Sequence, residues 1–273
     1  MLMHQYASSI FQTIDSICKQ EEQKILQAAQ MVKKVLAQDG LVYIFGCGHS
    51  HMIAEEGFYR AGGLACVAPM LYPPLMLHEG GAESSHLERQ PGLAAKVLEK
   101  YPVTDKDVVL CLSTSGVNAV GVEMAEALHA RGIPTIGICS SAYFEQPART
   151  LNGKHLHEAV DLWIDNKAPH GDACLQPQGA PVKTTPLSTI AGAFILNTIL
   201  AEATELALAE GVDVPIYVSG NIPGGAERNK DLIAVRQVLV CGRNATFATG
   251  ETRFGMPEAY IEDWNLPQNG TRT

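Results

Sequence analysis

The sequence predicts an α/β fold: a doubly wound five-stranded parallel sheet flanked by helices, with a long N-terminal helix leading into it. Short runs that are apolar throughout recur between segments whose apolar residues fall at helical spacing. Strands of that kind are buried on both faces, as a parallel sheet covered by crossover helices requires. The first and third strands also run directly into small, polar turns, the junctions where open α/β sheets bind ligands.

The N-terminal helix is predicted over 6–38, with Ile10, Ile14, Ile17, Ile25, Ala28, Val32 and Leu36 at helical spacing and Asp39-Gly40 as its stop. Strand one is Leu41 to Phe45, and a helix follows to about Arg60, where Gly62-Gly63 breaks it. Strand two reads as Leu64 to Ala68. A long connection with Pro69, Pro73, Pro74 and Gly80-Gly81 precedes a helix near Gly92 to Lys100. Strand three is Val108 to Leu112, followed by a helix from Val117 to His129, then strand four (Pro134 to Cys139) and strand five (Ala159 to Ile164). An irregular stretch from Asn166 to Pro186 reads as a functional loop, and Leu187 to Leu208 as a core or interface helix. Val214 to Ser219 is a further strand candidate. One domain is expected over 1–240, with its α/β core at 41–211, and 241–273 forms a tail without assignable pattern.

Charge narrows the function. The 273 residues carry a net charge of -9 and no Lys/Arg block, so electrostatic attraction to nucleic acid or to an anionic membrane is disfavoured. An anionic substrate must then be held locally by hydroxyls, amides and helix ends. The start Met1-Leu2-Met3-His4 lacks a basic region leading into an apolar segment, and Asn197, Glu202, Thr204 and Glu205 interrupt the most apolar helix. The seven cysteines form no CxxC pair and read as reduced thiols. A cytoplasmic protein is expected.

The Ser113-Thr114-Ser115-Gly116 turn sets three hydroxyls and a flexible glycine between a strand and a helix start, an arrangement suited to phosphate. Gly46-Cys47-Gly48-His49-Ser50-His51 opens like a dinucleotide fingerprint, but His51 stands where the third glycine belongs. Strand two also ends without a ribose-binding carboxylate, so a nicotinamide cofactor is not expected. Two anion-compatible turns on one sheet edge form the candidate site.

Phe45-Gly46-Cys47-Gly48-His49-Ser50 together with Leu112-Ser113-Thr114-Ser115-Gly116-Val117-Asn118 resembles the sugar isomerase (SIS) domain of phosphosugar isomerases and phosphosugar-binding proteins, in order and spacing from about Tyr6 to Gly211. The resemblance implies a SIS-type fold in which Ser113, Thr114, Ser115 and Asn118 hold a sugar phosphate, aided by Gly46, Gly48, His49 and Ser50. It also implies a homodimer or homotetramer with shared sites.

Aldose-ketose isomerisation needs a base beside the sugar. Ala54-Glu55-Glu56 resembles the helix of phosphoheptose isomerases in which a glutamate is the base and a histidine one turn earlier helps bind zinc. Spacing from His51 selects Glu55, while direct matching of Ala-Glu-Glu selects Glu56. An acidic helix start stabilised by the helix dipole would look the same. His51 and Glu55 supply only two ligands, short of a zinc sphere, and the long helix lacks the histidine that family would place there, so no metal or other cofactor is expected. His78 and Glu79, in the connection after strand two, are competing candidates. His170, Asp172 and Lys183 can reach the same edge, whereas His155 and His157 read as surface.

The expected function is a phosphosugar isomerase working through an enediol. The alternatives are a noncatalytic phosphosugar-binding regulator, or a lyase or etherase on the same scaffold.

Overall fold

The structure is a computed structural model that describes residues 1–235 and the short segments 238–240 and 243–245. Helix α1 (Leu2–Ala37) is continuous, and its buried Ile17, Ile25, Ala28, Ala29, Val32 and Val35 lie along one stripe. It stops at Asp39, in the left-handed region at φ 60°, and at Gly40, where a Cβ would stand 2.0 Å from the Lys106 carbonyl oxygen.

Next come β1 (Val42–Gly46), α2 (His51–Gly57), β2 (Val67–Met70), α3 (Leu77–Leu87), α4 (Leu93–Leu98), β3 (Val108–Leu112), α5 (Ala119–His129), β4 (Thr135–Cys139), α6 (Leu156–Ala159) and β5 (Leu162–Asp165). The five strands form one sheet, parallel throughout, in the order β2-β1-β3-β4-β5. Every residue of β1 and β3 is buried, which explains their unbroken apolar sequence. The buried Asp107 staples the start of this pair. Its Oδ1 accepts from the Leu41 N–H at 2.7 Å, and its Oδ2 accepts from the Thr104 N–H at 2.7 Å and hydroxyl at 2.8 Å. At the other end Gly46 lies opposite Leu112.

The chain then forms a hairpin of β6 (Ala173–Leu175) and β7 (Thr184–Pro186), the long helix α7 (Ser188–Ala209), α8 (Gly225–Val235), and the antiparallel pair β8 (Val238–Val240) and β9 (Arg243–Ala245). Helices α1, α2 and α7 pack together on one face of the sheet, and α4, α5 and α6 on the other. Helix α7 has the length and apolar composition of a membrane span, yet Ala191, Ile195, Leu196, Ile199, Leu200 and Ala203 are buried in the protein core. A fully buried Leu or Ile contributes about 2 kcal/mol, so this helix is a main support of the α1 face.

Four expectations are corrected. Strand two lies later than Leu64 to Ala68, because the backbone at 62–65 bonds instead to 215–217, through Gly62 N–H to Tyr217, Tyr217 N–H to Gly63 and Ala65 N–H to Pro215. Pro69 is consequently inside β2, tolerated because β2 is an edge strand. Val214 to Ser219 forms only a single bridge, Leu64 with Ile216, in place of a strand. The connection carrying His78 and Glu79 is helical: α3 continues through a kink at Gly80, whose φ of 155° only glycine adopts readily. The stretch 166–186 contains the β6-β7 hairpin, pinned by the Tyr6 hydroxyl of α1 donating to the Pro186 carbonyl at 2.9 Å. Most of the 241–273 tail lies outside the described residues.

Candidate functional site

The sheet order reverses between β1 and β3, so the chain leaves these adjacent strands toward opposite faces and opens a crevice beyond their carboxyl ends. The β1 turn is shaped by backbone. A Cβ at Gly46 would stand 2.6 Å from the Ser50 carbonyl carbon, so the turn folds back on itself only because no side chain is there. Gly48 sits at φ 54°, and its carbonyl accepts a hydrogen bond from Nδ1 of the buried His51. His49 and Ser50 are thereby presented at the crevice.

The β3 turn presents hydroxyls. Ser113 Oγ accepts from the Gly116 N–H at 3.2 Å, leaving its own O–H to donate elsewhere. The backbone is anchored to β4 by Ser113 N–H to the Ile138 carbonyl at 3.1 Å and Ser140 N–H to the Thr114 carbonyl at 2.9 Å. Gly116 is left-handed at φ 66° and turns the chain into α5, with Asn118 at its N-cap. The Arg149 guanidinium donates to Asn118 Oδ1, and its backbone N–H donates to the Val117 carbonyl at 2.8 Å.

These turns line a single cavity of about 360 Å³, within the usual range for small-molecule sites. Gly48, His49, Ser50, Ser113, Thr114, Ser115 and Asn118 all border it. Tyr143, Asp172, Pro186, Ser188 and Thr189 border it as well. Asp172, itself left-handed at φ 63°, caps α7. Its Oδ1 accepts from the N–H groups of Leu187 and Ser188 at 3.0 and 2.8 Å, and its Oδ2 from the Ser188 hydroxyl at 2.6 Å. The Tyr143 oxygen accepts from the Gly171 N–H at 2.8 Å. Burial holds the Tyr143 phenol above its ordinary range, so it stays protonated and retains an O–H to donate.

Another carboxylate, Glu88, borders the cavity and was missed in the sequence. Burial raises its pKa, against the pull of Arg89 and Arg149. It is seated at the end of α3, where its N–H donates to Ser84 at 3.0 Å and its carbonyl accepts from the Val120 N–H of α5 at 3.1 Å. The signal was there: in a helical reading of 77–87, Ser85 and Glu88 share a face, and both reach the cavity. Gly80-Gly81 masked it by reading as a break. Cys47 borders the cavity as well, with its thiol pushed far up by burial, so it offers no nucleophile.

The catalytic candidates read from sequence are not among the lining residues. Glu56 pairs with Arg60 and accepts from Asn197 of α7 at 3.3 Å. Glu55 is exposed, with its Oε1 3.8 Å from His51 Nε2. His78 and Glu79 are exposed on α3 and 3.8 Å apart. The His51–Glu55 pair gains no third His, Cys, Asp or Glu at metal distance among the described residues, so these side chains do not fit a zinc centre. His170 lies with its ring against the lining residue Tyr143, and His157 is half-buried, stacked on Phe144.

Comparison with known proteins agrees with the fold. The SIS domain model matches residues 5–140. A UPF0309 protein of Geobacillus thermodenitrificans is 44% identical over 230 residues, covering 84% of this chain and 92% of the relative. One from Halalkalibacterium halodurans is 42% identical over 229 residues, with coverage of 84% and 92%. Phosphoheptose isomerase GmhA from Neisseria gonorrhoeae has a similar fold, at a TM-score of 0.50 and 15% identity, covering 75% of this chain and 100% of that one. The chain belongs to the SIS domain family and, within it, to the UPF0309 proteins.

Proposed function

We propose that the cavity binds a sugar phosphate and that the chain is a phosphosugar isomerase. One observation supports this most: the two turns that resemble phosphosugar-binding motifs, Gly46 to Ser50 and Ser113 to Asn118, border one sugar-sized cavity at the switch point of the sheet. The phosphate is held by the hydroxyls of Ser113, Thr114 and Ser115 and by the Asn118 amide, at the start of α5 where the helix dipole favours an anion. Among the lining residues His49 is the sole candidate cation, so this hydroxyl grip supplies most of the attraction. The carbon chain occupies the rest of the cavity, where the hydroxyls of Tyr143, Ser188 and Thr189 match those of a sugar.

Isomerisation needs no external oxidant or reductant. A proton leaves the carbon beside the carbonyl and is returned to the neighbouring carbon, while a hydroxyl proton moves between the two oxygens. The test is incubation with pentose, hexose and N-acetylhexosamine phosphates in deuterium oxide, followed by proton NMR. Solvent deuterium at the carbon beside the carbonyl, together with the isomeric product, is expected. Saturable binding with no exchange for any of these sugars would instead mark a noncatalytic sensor.

A further inference from the structure

We propose that Glu88 is the base that moves the carbon-bound proton. The proposal rests on the phosphosugar reading and assigns the chemistry of that same cavity. Among the lining residues Glu88 and Asp172 carry the carboxylates. Asp172 accepts three hydrogen bonds at the start of α7, which occupy its oxygens and fix it as a cap. Glu88 has no such engagement with a helix end. Its backbone is clamped between α3 and α5 by the bonds to Ser84 and Val120, so the side chain leaves from a rigid seat. Its carboxylate reaches across to the β1 turn, with Oε2 4.0 Å from where a Cβ on Gly48 would stand.

The phosphate grip and Glu88 border the same cavity, and Arg149, which donates to Asn118, also acts on Glu88. A sugar held by its phosphate at Ser113 to Asn118 presents its carbonyl carbons to the rest of the lining, where Glu88 is the carboxylate not engaged with a helix end. The Glu88 carboxylate removes the proton from the carbon beside the carbonyl, and the C–H pair becomes the C=C bond of the enediol. The carbonyl π pair moves to its oxygen, which gains a proton. Protonated Glu88 returns its proton to the former carbonyl carbon as the neighbouring hydroxyl loses its own, and the carboxylate is regenerated. Charged or titratable groups acting on Glu88 are Arg89 of its own segment, Arg149 beside Asn118, and Cys47 of the β1 turn.

The experiment compares wild type with Glu88→Gln and Glu88→Asp, using as probe whichever pentose, hexose or N-acetylhexosamine phosphate stabilises wild type in a thermal-shift panel. Glu88→Gln keeps the probe's binding within about threefold and lowers deuterium exchange by about 10²–10⁴-fold; Glu88→Asp restores part of it. The acid limb of the wild-type pH profile for kcat/KM falls above the ordinary carboxylate range and is absent from the residual activity of Glu88→Gln. Because the folded carboxyl is raised, its ionisation costs stability at neutral pH, and Glu88→Gln melts no lower than wild type there. Undiminished exchange in Glu88→Gln overturns this assignment and leaves the phosphosugar reading standing. A wild type that binds none of the panel overturns both.

Discussion

The Arg149 guanidinium donates to Asn118 Oδ1, and that bond sets which way the Asn118 amide faces. Arginine has only donors, so it must meet the oxygen, and the amide NH₂ is left for the cavity. The same contact brings a positive charge to the rim of a site in an acidic chain. Arg149→Met is expected to weaken sugar-phosphate binding by roughly 10-fold, the loss of about one charge-assisted interaction. The binding constant should also depend less on salt, as isothermal titration at low and high ionic strength would show.

Gly46→Ala tests the turn itself. Its methyl would stand 2.6 to 2.8 Å from the Ser50 carbonyl carbon, oxygen and Cβ. The clash is with backbone, so the turn must move, at a cost of about 1–3 kcal/mol. Chemical denaturation should show that loss, and sugar-phosphate stabilisation should fall with it. Gly62→Ala is the comparison, since its Cβ meets nothing within 4 Å, although its φ of 79° carries a strain of its own.

Asp172→Ala removes the cap of α7 and is expected to cost about 1–2 kcal/mol. Ser188 and Thr189 border the cavity from the first turn of that helix. Sugar-phosphate affinity should therefore drop, while inorganic phosphate, which uses only the β3 turn, should bind nearly as in wild type. Titration with both ligands separates the phosphate contacts from those to the sugar.

Lys167, left-handed at φ 56°, joins Glu21 of α1 at 2.6 Å and Asp165 of β5 at 3.1 Å. Burial pushes the Asp165 carboxyl up, but hydrogen bonds from Ser141 and Lys167 outweigh it and leave the pKa below the ordinary range. Burial lowers the Lys167 ammonium, and its bonds to Glu21 and Asp165 raise it above the ordinary range on balance. Asp165 therefore contributes stability above about pH 4, lost as pH falls through its depressed pKa. Lys167 contributes stability below about pH 10, lost as pH rises through its raised one. Lys167→Met leaves the buried Asp165 without its cation, while Glu21 keeps Lys24 at 2.8 Å, and is expected to cost about 3 kcal/mol near pH 7. Urea unfolding at pH 3, 5 and 7 should show its deficit shrinking toward acid, as Asp165 protonates.

The sheet was readable because β1, β3 and β4 are buried on both faces and almost wholly apolar. The phosphate turns were readable because Gly46 and the Ser113-Thr114-Ser115 run depend on local chain geometry. What lay beyond reach depended on long-range packing. Val67–Met70 is the strand, and not Leu64 to Ala68, because a segment 150 residues later bonds to 62–65. Glu55 and Glu56 stand one turn beyond the β1 motif, yet α2 aims Glu56 at Arg60 and α7. Glu88 reaches the cavity because the chain resumes helix after the kink at Gly80.

The most direct test of the account is a ³¹P NMR titration of a hexose 6-phosphate and a pentose 5-phosphate with wild type and Ser113→Ala/Ser115→Ala. The account predicts a saturable shift or broadening of the phosphate resonance with wild type, for one of the sugars at least, and an affinity weakened by about 10-fold or more in the double variant. Binding that is unchanged by the double substitution, or absent from wild type for both sugars, would contradict it.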